Sequence, residues 1–139
     1  MSLNEFSWPV RVYWEDTDAG GVVFYANYLK FMERARTEML RSIGFEQDAL
    51  KEEQGLIFAV HSVEVKYHKP AVFNDELNVI SRIEKVSKAS LVFEQNIVRA
   101  QDDILLCSAS VKVACLHAHR FSPAAMPQDI TTMISKEFG

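Results

Sequence analysis

Alternating hydrophobic and polar residues near the N-terminus predict a first β-strand. In FSWPVRVYWE, residues 6–15, every second residue is apolar, which is the period of a strand with one buried face. The residues predicted on that face are Phe6, Trp8, Val10, Val12 and Trp14. Because Pro9 has no backbone N–H to donate to a neighbouring strand, the strand is predicted to lie at an edge of its sheet.

From about residue 24 to residue 43 the hydrophobic period becomes that of a helix. Apolar residues recur at steps of three and four, at Tyr25, Tyr28, Met32, Ala35, Met39 and Ile43. Neighbouring apolar positions widen this stripe, which predicts a helix that is covered on more than one side. Gly44 follows the stripe and would end the helix. Residues 45–55 predict a second, short and exposed helix that ends at Gly55.

Four later segments again show the period of strands, and they cover residues 56–68, 76–86, 89–99 and 104–115. The short connections VSKAS and QDD between the last three predict antiparallel hairpins. The residues predicted to share a face of the first segment are Ile57, Ala59, Val63, Val65 and Tyr67. The last segment is predicted to begin its buried face at Leu105, and the tail after His119 to pack loosely on the surface.

This order of elements predicts an α+β fold in which one long helix packs on a five-stranded antiparallel sheet. The 139 residues suit a single domain, spanning residues 1–139. A five-stranded sheet leaves two edges and some aromatic surface uncovered, which a second copy could cover. We therefore expect a homo-oligomer.

Charge and composition narrow the function classes. The net charge of −4 and the pI of about 5.5 argue against a general nucleic-acid binder, which would be basic. No segment approaches the roughly 20 apolar residues of a membrane span, and the N-terminus lacks the pattern of a signal peptide. Cys107 and Cys115 on one strand would lie roughly 26 Å apart, too far for a disulfide. We expect a cytoplasmic protein with reduced thiols.

The segment EDTDAGG places two aspartates and two glycines between the first strand and the long helix. A helix N-terminus presents free N–H groups and can hold a carboxylate or a developing oxyanion. Asp16 or Asp18 beside such a terminus could activate water or attack a carbonyl directly, and Gly20 and Gly21 would let a ligand approach. The spacing alone favours a simpler interpretation, in which Asp16 or Asp18 only caps the helix.

The segment YWEDTDAGGVVFYANYLKFMERARTEMLR resembles the signature of the 4-hydroxybenzoyl-CoA thioesterase family of hotdog-fold enzymes. Within that family it is similar to the YbgC-type acyl-CoA thioesterases associated with the Tol-Pal system. The resemblance continues through VEVKYHKPA and SLVFEQNIV and covers nearly the whole chain. It implies a hotdog fold, with the long helix wrapped by the sheet, and hydrolysis of an acyl-CoA thioester without a metal or an organic cofactor.

The same resemblance implies site residues. The catalytic aspartate falls on Asp18, as nucleophile or general base, and the backbone N–H that polarises the thioester carbonyl falls on Tyr25. YbgC-type proteins often carry histidine where this chain has Tyr25, and the hydroxybenzoyl branch carries tyrosine. Lys85, Lys88 and Ser90 match the rim that meets the CoA phosphates, although a solvated lysine pair is an equal alternative. The family also implies a homodimer or homotetramer, and acyl carrier protein is a possible partner.

Other chemistries receive less support from the sequence. Cys115, His117 and His119 alternate and could bind zinc, but no fourth ligand is well placed. No nucleophile elbow or P-loop is present. Two alternatives stay open: a hotdog hydratase or dehydratase, which would need a histidine that the sequence does not place near Asp18, and a non-catalytic acyl-binding or scaffold protein.

Overall fold

The computed structural model describes residues 4–139. The helices are α1 (Asn27–Ser42), α2 (Gln47–Gln54) and α3 (Gln128–Phe138). The strands are β1 (Glu5–Arg11), β2 (Leu56–Tyr67), β3 (Glu76–Val86), β4 (Ser90–Arg99) and β5 (Leu105–His117). The predicted order of a strand, a long helix and four strands is confirmed.

All five strands form one antiparallel sheet in the order β1-β3-β4-β5-β2. The two edges are therefore β1 and β2, and the edge position predicted from Pro9 is confirmed. The edge strand β2 has 12 residues against 7 in β1, and it exposes Val60 and Val63. A long edge with exposed apolar residues is a surface that natural proteins usually cover.

α1 lies against one face of the sheet and carries much of the core. Its buried apolar side chains include Phe31, Met32, Ala35 and Met39, and those of the facing strands include Leu77, Val79, Leu91 and Phe93. Three polar side chains are buried between helix and sheet, at Arg36, Ser81 and Gln95. The Gln95 amide donates to the Met32 carbonyl at 3.0 Å and to Ser81 Oγ at 2.9 Å, so these polar groups tie the helix to the sheet.

β-bulges move residues away from the faces that simple alternation predicted. In β2 the register shifts between Val60 and Ser62. Phe58 and Val60 therefore border the space beneath α1, and the shared face predicted from Ile57 and Ala59 is wrong. In β5 the pairing shifts opposite Ile97 and Val98. Leu106 and Cys107 are both buried, whereas Leu105 is 38% exposed. The predicted burial of Leu105 is therefore also wrong.

Three predicted boundaries are corrected. β1 ends at Arg11, and Trp14 begins one turn of 3-10 helix and is 69% exposed. The long helix begins at Asn27 rather than near residue 24. The tail does not pack loosely, because it forms α3 and buries Ile130, Ile134 and Phe138 in the core.

Cys107 and Cys115 are both buried and unbonded to each other. Burial raises the pKa of the Cys107 thiol to about 12 and also raises the pKa of Cys115. Within residues 4–139 no helix is both long enough and apolar enough to cross a membrane.

Candidate active site

Residues 16–25 form a tight hairpin that holds the acidic turn beside the start of α1. The Asp18 N–H donates to the Val22 carbonyl at 2.9 Å. Thr17 forms an isolated antiparallel β-bridge with Val23. The Phe24 N–H then donates to the Asp16 carbonyl at 2.9 Å. These bonds set the acidic turn side by side with the residues that lead into the helix.

The two glycines have separate roles in this hairpin. Gly21 has a φ of +81°, a left-handed conformation that favours glycine. At Gly20 an added Cβ would lie 3.2 Å from Asp18 Oδ1, and the Gly20 N–H donates to that same oxygen at 2.8 Å. The two glycines thus form a sharp turn, and the Gly20 N–H orients the exposed carboxylate of Asp18.

Neither aspartate caps α1, so the capping alternative is wrong. Asp16 Oδ2 accepts the Tyr13 N–H at 2.8 Å, which closes the 3-10 turn. Ala26 precedes α1 and makes no side-chain capping bond. No side chain therefore caps the start of α1, although the Asn27 N–H bonds to the Phe24 carbonyl at 2.8 Å.

Tyr25 lies in the turn before α1, two residues ahead of the helix start. Its backbone N–H has no acceptor among the described residues, and its side chain is 63% exposed. Its carbonyl oxygen accepts the Tyr67 hydroxyl at 3.0 Å. The Tyr25 carbonyl is therefore held by Tyr67, while the Tyr25 N–H, which is predicted to bind the thioester carbonyl, is free of protein acceptors.

Aromatic rings surround Tyr25 and border a groove of about 240 Å³. The Tyr25 and Tyr67 rings meet edge to face with centroids 6.1 Å apart, and Tyr67 lies 5.6 Å from Tyr28. The buried Tyr28 hydroxyl accepts the Ala71 N–H at 3.0 Å. Burial is the main cause that raises the pKa of both Tyr28 and Tyr67, so both are neutral hydrogen-bonding groups near pH 7. Asp18 does not line this groove.

Lys85, Lys88 and Ser90 lie together at the hairpin between β3 and β4. Both lysines are exposed and Ser90 is half-buried. No acidic side chain pairs with either lysine among residues 4–139. The hairpin therefore offers two free positive charges.

That hairpin lies at the far end of β3 from the acidic turn. Val22, in the hairpin of the acidic turn, forms an antiparallel β-bridge with Val72, which lies four residues before the start of β3 at Glu76. The eleven residues of β3, from Glu76 to Val86, span about 33 Å at about 3.3 Å per step. Within one protomer the structure does not bring the lysines and Asp18 together.

Three residues near the site were missed by the sequence pattern. The Asn27 side-chain amide donates to the Asp16 carbonyl at 2.9 Å, and it joins the first residue of α1 to the acidic turn. Tyr67 holds the Tyr25 carbonyl from another strand. His68 borders the groove and shares a hydrogen bond of 2.9 Å with Ser108 Oγ. Of these three residues, only Asn27 could have been noticed in the sequence, because it is a polar residue within a mostly apolar segment.

The described part of the chain contains no group of three or more His, Cys, Asp or Glu side chains able to hold a metal ion. The Cys115, His117 and His119 triplet therefore does not form a metal cluster here. Cys115 is buried, whereas His117 is half-buried and His119 lies in a turn beyond the end of β5.

Comparisons with known proteins agree with this architecture. A family model described as the thioesterase superfamily matches residues 20–106, more than half of the chain. The chain is 46% identical to the acyl-CoA thioesterase YbgC of Haemophilus influenzae, over 94% of each protein. It is 47% identical to the acyl-CoA thioester hydrolase YbgC of Escherichia coli, over 94% of this chain and 96% of that protein.

Solved structures show the same fold. A mutant of 4-hydroxybenzoyl CoA thioesterase, complexed with 4-hydroxybenzoyl CoA, superposes with a TM-score of 0.89 at 18% identity, over 94% of this chain and 99% of that one. At that identity the match supports the fold alone. The predicted hotdog fold is thereby confirmed. Asp18 lies two residues before the segment matched by the family model.

Proposed function

Since the chain belongs to the thioesterase superfamily, we propose that it is an acyl-CoA thioester hydrolase in which Asp18 and the Tyr25 N–H act on the thioester carbonyl. The observation that carries the site assignment is an exposed, oriented carboxylate beside an uncapped helix start with a free backbone donor. The near-full-length similarity to acyl-CoA thioesterases supports the reaction and the substrate class.

Two routes fit this geometry. As a general base, Asp18 takes a proton from water while the oxygen attacks the thioester carbon, and the tetrahedral oxyanion accepts the Tyr25 N–H. The C–S bond then breaks, and the CoA thiolate takes up a proton as the acid is released. As a nucleophile, Asp18 forms an acyl anhydride and expels CoA thiolate, and water then hydrolyses the anhydride. Neither route needs a metal or an organic cofactor.

A second copy completes the site in this proposal. β2 is a long edge strand with exposed valines, and pairing it with another copy would cover that edge. The hairpin carrying Lys85, Lys88 and Ser90 is far from Asp18 in one protomer, so it would meet CoA bound to a neighbouring copy. We therefore expect a homodimer at least, with a homotetramer built from dimers as the larger form.

The thioester is carried by the same pantetheine arm in CoA and in acyl carrier protein, so both remain candidate acyl donors. Two free, buried thiols suit a reducing compartment such as the cytoplasm. The Lys85 and Lys88 charges favour CoA, whose nucleotide end carries the phosphates that such a pair would bind.

A thiol-release assay over a panel of acyl-CoAs tests the proposed reaction. We expect release of one CoA thiol for each acid formed, without added metal or cofactor. A hydratase would change the acyl chain and leave the thioester intact, whereas a scaffold protein would bind without turnover. Absence of thiol release across short, long and aromatic acyl groups would overturn the proposal.

A further inference from the structure

Two adjoining cavities run along α1 on the side of the edge strand β2. One has a volume of about 230 Å³ and reaches Leu40 and Gln47. The other has a volume of about 260 Å³ and begins at Leu29, nearer the start of the helix. Because Glu33, Arg36 and Val60 border both, the two cavities adjoin and form one path along α1. Its outer end at Leu29 lies four residues beyond Tyr25.

The outer cavity is mostly apolar, whereas the deeper cavity is lined by apolar and polar groups alike. Leu29, Val60, Val63 and Val111 border the outer cavity. Phe58, Leu91 and Phe93 border the deeper cavity together with the polar side chains of Glu33, Arg36, Thr37 and Gln47. An apolar cavity with a few fixed polar groups is the usual form of a small-molecule site. The outer cavity could hold a hydrocarbon chain, and the polar side chains of the deeper cavity could bind a polar group at the end of that chain.

Arg36 is the unusual residue in this wall. It is only 9% exposed, and its Nη1 donates to Gln95 Oε1 at 2.9 Å. Gln95 is held in turn by Met32 and Ser81, and the Arg36 Cζ lies 6.0 Å from the Phe93 ring centroid. The guanidinium is therefore fixed in position by neutral groups.

This guanidinium has donors to spare. It carries five N–H groups, and no carboxylate lies within 4.0 Å of it among residues 4–139. Since no buried side-chain nitrogen in the described residues lacks a partner, the remaining guanidinium nitrogens border the cavity. Burying a charge without a charged partner is costly, and burial lowers the pKa of Arg36. A bound carboxylate would supply the missing partner.

The other charges along the path are Lys30 and Glu33. Both residues are exposed, and the nearby Glu33 partly offsets the effect of burial on Arg36. Lys30 borders the outer cavity alone, whereas Glu33 borders both cavities. Because Glu33 is exposed and forms no ion pair with Arg36 within 4.0 Å, the Arg36 guanidinium can still bind an anionic group in the deeper cavity.

We propose that the path binds the acyl chain of the substrate and that Arg36 binds a carboxylate at the far end of that chain, which makes ω-carboxyacyl thioesters a preferred substrate class. This inference rests on the proposed thioesterase function. Arg36 lies nine residues into α1, about 13 Å from the helix start at 1.5 Å per residue. Only an acyl chain of medium length would span that distance from the thioester to the guanidinium.

The wild-type protein tests this without any substitution. We expect kcat/KM for the CoA monothioester of sebacic acid to exceed that for decanoyl-CoA by at least ~10-fold, because the methyl end leaves Arg36 unpaired. Succinyl-CoA and butyryl-CoA should be equivalent, because neither reaches Arg36. Hydrolysis of decanoyl-CoA with no preference for the carboxylate would overturn this inference alone. Hydrolysis of none of the four, with aromatic acyl-CoAs still hydrolysed, would also overturn this inference alone. Hydrolysis of neither the four nor the aromatic acyl-CoAs would remove the thioesterase proposal and the inference with it.

A variant assigns the preference to Arg36. Arg36→Met keeps the side-chain length and removes the charge, so the ratio of kcat/KM for sebacoyl-CoA to that for decanoyl-CoA should fall to about 1, whatever the absolute rates. The matched control is Arg34→Met, an exposed arginine of the same helix, which should keep the wild-type preference. Circular dichroism checks the fold of both. An Arg36→Met protein that is folded and still prefers the carboxylate would overturn the proposal, and if it does not fold, the wild-type comparison decides.

Discussion

The Tyr67 hydroxyl, at the end of β2, donates a hydrogen bond of 3.0 Å to the backbone carbonyl of Tyr25. This carbonyl takes no part in the α1 ladder, because the Leu29 N–H bonds to Ala26 instead. A side chain from a distant strand therefore fixes the turn that offers the Tyr25 N–H. Tyr67 is a positioning residue in this account, since it acts through Tyr25 rather than on the substrate.

We expect Tyr67→Phe to lower kcat about 2- to 10-fold and to leave KM nearly unchanged. A neutral hydrogen bond contributes about 0.5–1.5 kcal/mol, and its loss would loosen a donor that works mainly in the transition state. Steady-state kinetics on one acyl-CoA measures the split. Tyr13→Phe removes a hydroxyl from another exposed tyrosine and should change neither constant. A rise in KM alone would contradict the positioning role.

Replacing both Lys85 and Lys88 with Ala should raise KM for acyl-CoA and leave kcat nearly unchanged. Loss of binding common to the ground and transition states has that signature. The effect should shrink at high salt, because exposed charges are screened beyond about 10 Å at 0.1 M. The double variant Lys51→Ala, Lys136→Ala removes the same charge from exposed sites on α2 and α3 and serves as the control.

An acyl-pantetheine substrate, which lacks the nucleotide, separates the two explanations of those lysines. Its turnover should be the same in wild type and in the Lys85, Lys88 double variant. If the double variant loses as much activity with acyl-pantetheine as with acyl-CoA, the lysines do not bind the nucleotide end.

Val63→Lys should weaken assembly of the protein. Val63 is 43% exposed on the edge strand β2, and a charged residue on an edge strand opposes its pairing with another strand. Light scattering at micromolar concentration should give a dimer or larger for wild type and a smaller mean mass for the variant. Ser7→Lys, on the other edge strand β1, is the control and should keep the wild-type mass. A monomeric, fully active wild-type protein would exclude a site shared between copies.

The buried Cys107 thiol should make the folded protein less stable as the pH becomes alkaline. Its pKa is raised to about 12 in the fold, against about 8.5 in an unfolded chain, so the folded state binds more protons between these values. The free energy of unfolding should therefore fall as pH rises above about 8.5, by at most ~1.4 kcal/mol per pH unit for this thiol. Chemical unfolding at pH 7 to 10 measures the slope. Cys107→Ala should show a shallower slope, and equal slopes would contradict the assignment.

The elements that local patterns determine were predictable from the sequence. The three- and four-residue steps from Tyr28 to Met39 depend only on the geometry of α1, and these residues are buried as predicted. The turn at Gly20 and Gly21 was likewise readable, because a left-handed φ and a close carboxylate favour glycine.

The errors arise where contacts between distant residues decide the local structure. The bulge next to Val60 exchanges the two faces of β2. Odd-numbered and even-numbered positions at the start of this strand are both apolar, so the alternation of apolar and polar residues could not reveal the bulge. The helix starts late because the Tyr25 carbonyl bonds to Tyr67. In α3, Ile130, Ile134 and Phe138 recur at four-residue steps; this helical signal was present but was outweighed by the nearby prolines.

The carboxylate of Asp18 is the group proposed to activate water or attack the thioester, and replacing it with an amide of the same shape removes only its charge. Asp18→Asn keeps the shape and can still accept the Gly20 N–H, but it can neither take a proton from water nor attack as a carboxylate. Glu15→Gln makes the same charge change in the same turn, at an exposed position. It should leave activity close to wild type.

The most direct measurement is therefore the rate of CoA thiol release by Asp18→Asn at saturating acyl-CoA, beside wild type and Glu15→Gln. We expect kcat to fall by at least ~100-fold, the range that a positioned base supplies, while the binding affinity for acyl-CoA is largely kept. A folded Asp18→Asn protein with wild-type turnover would contradict this expectation.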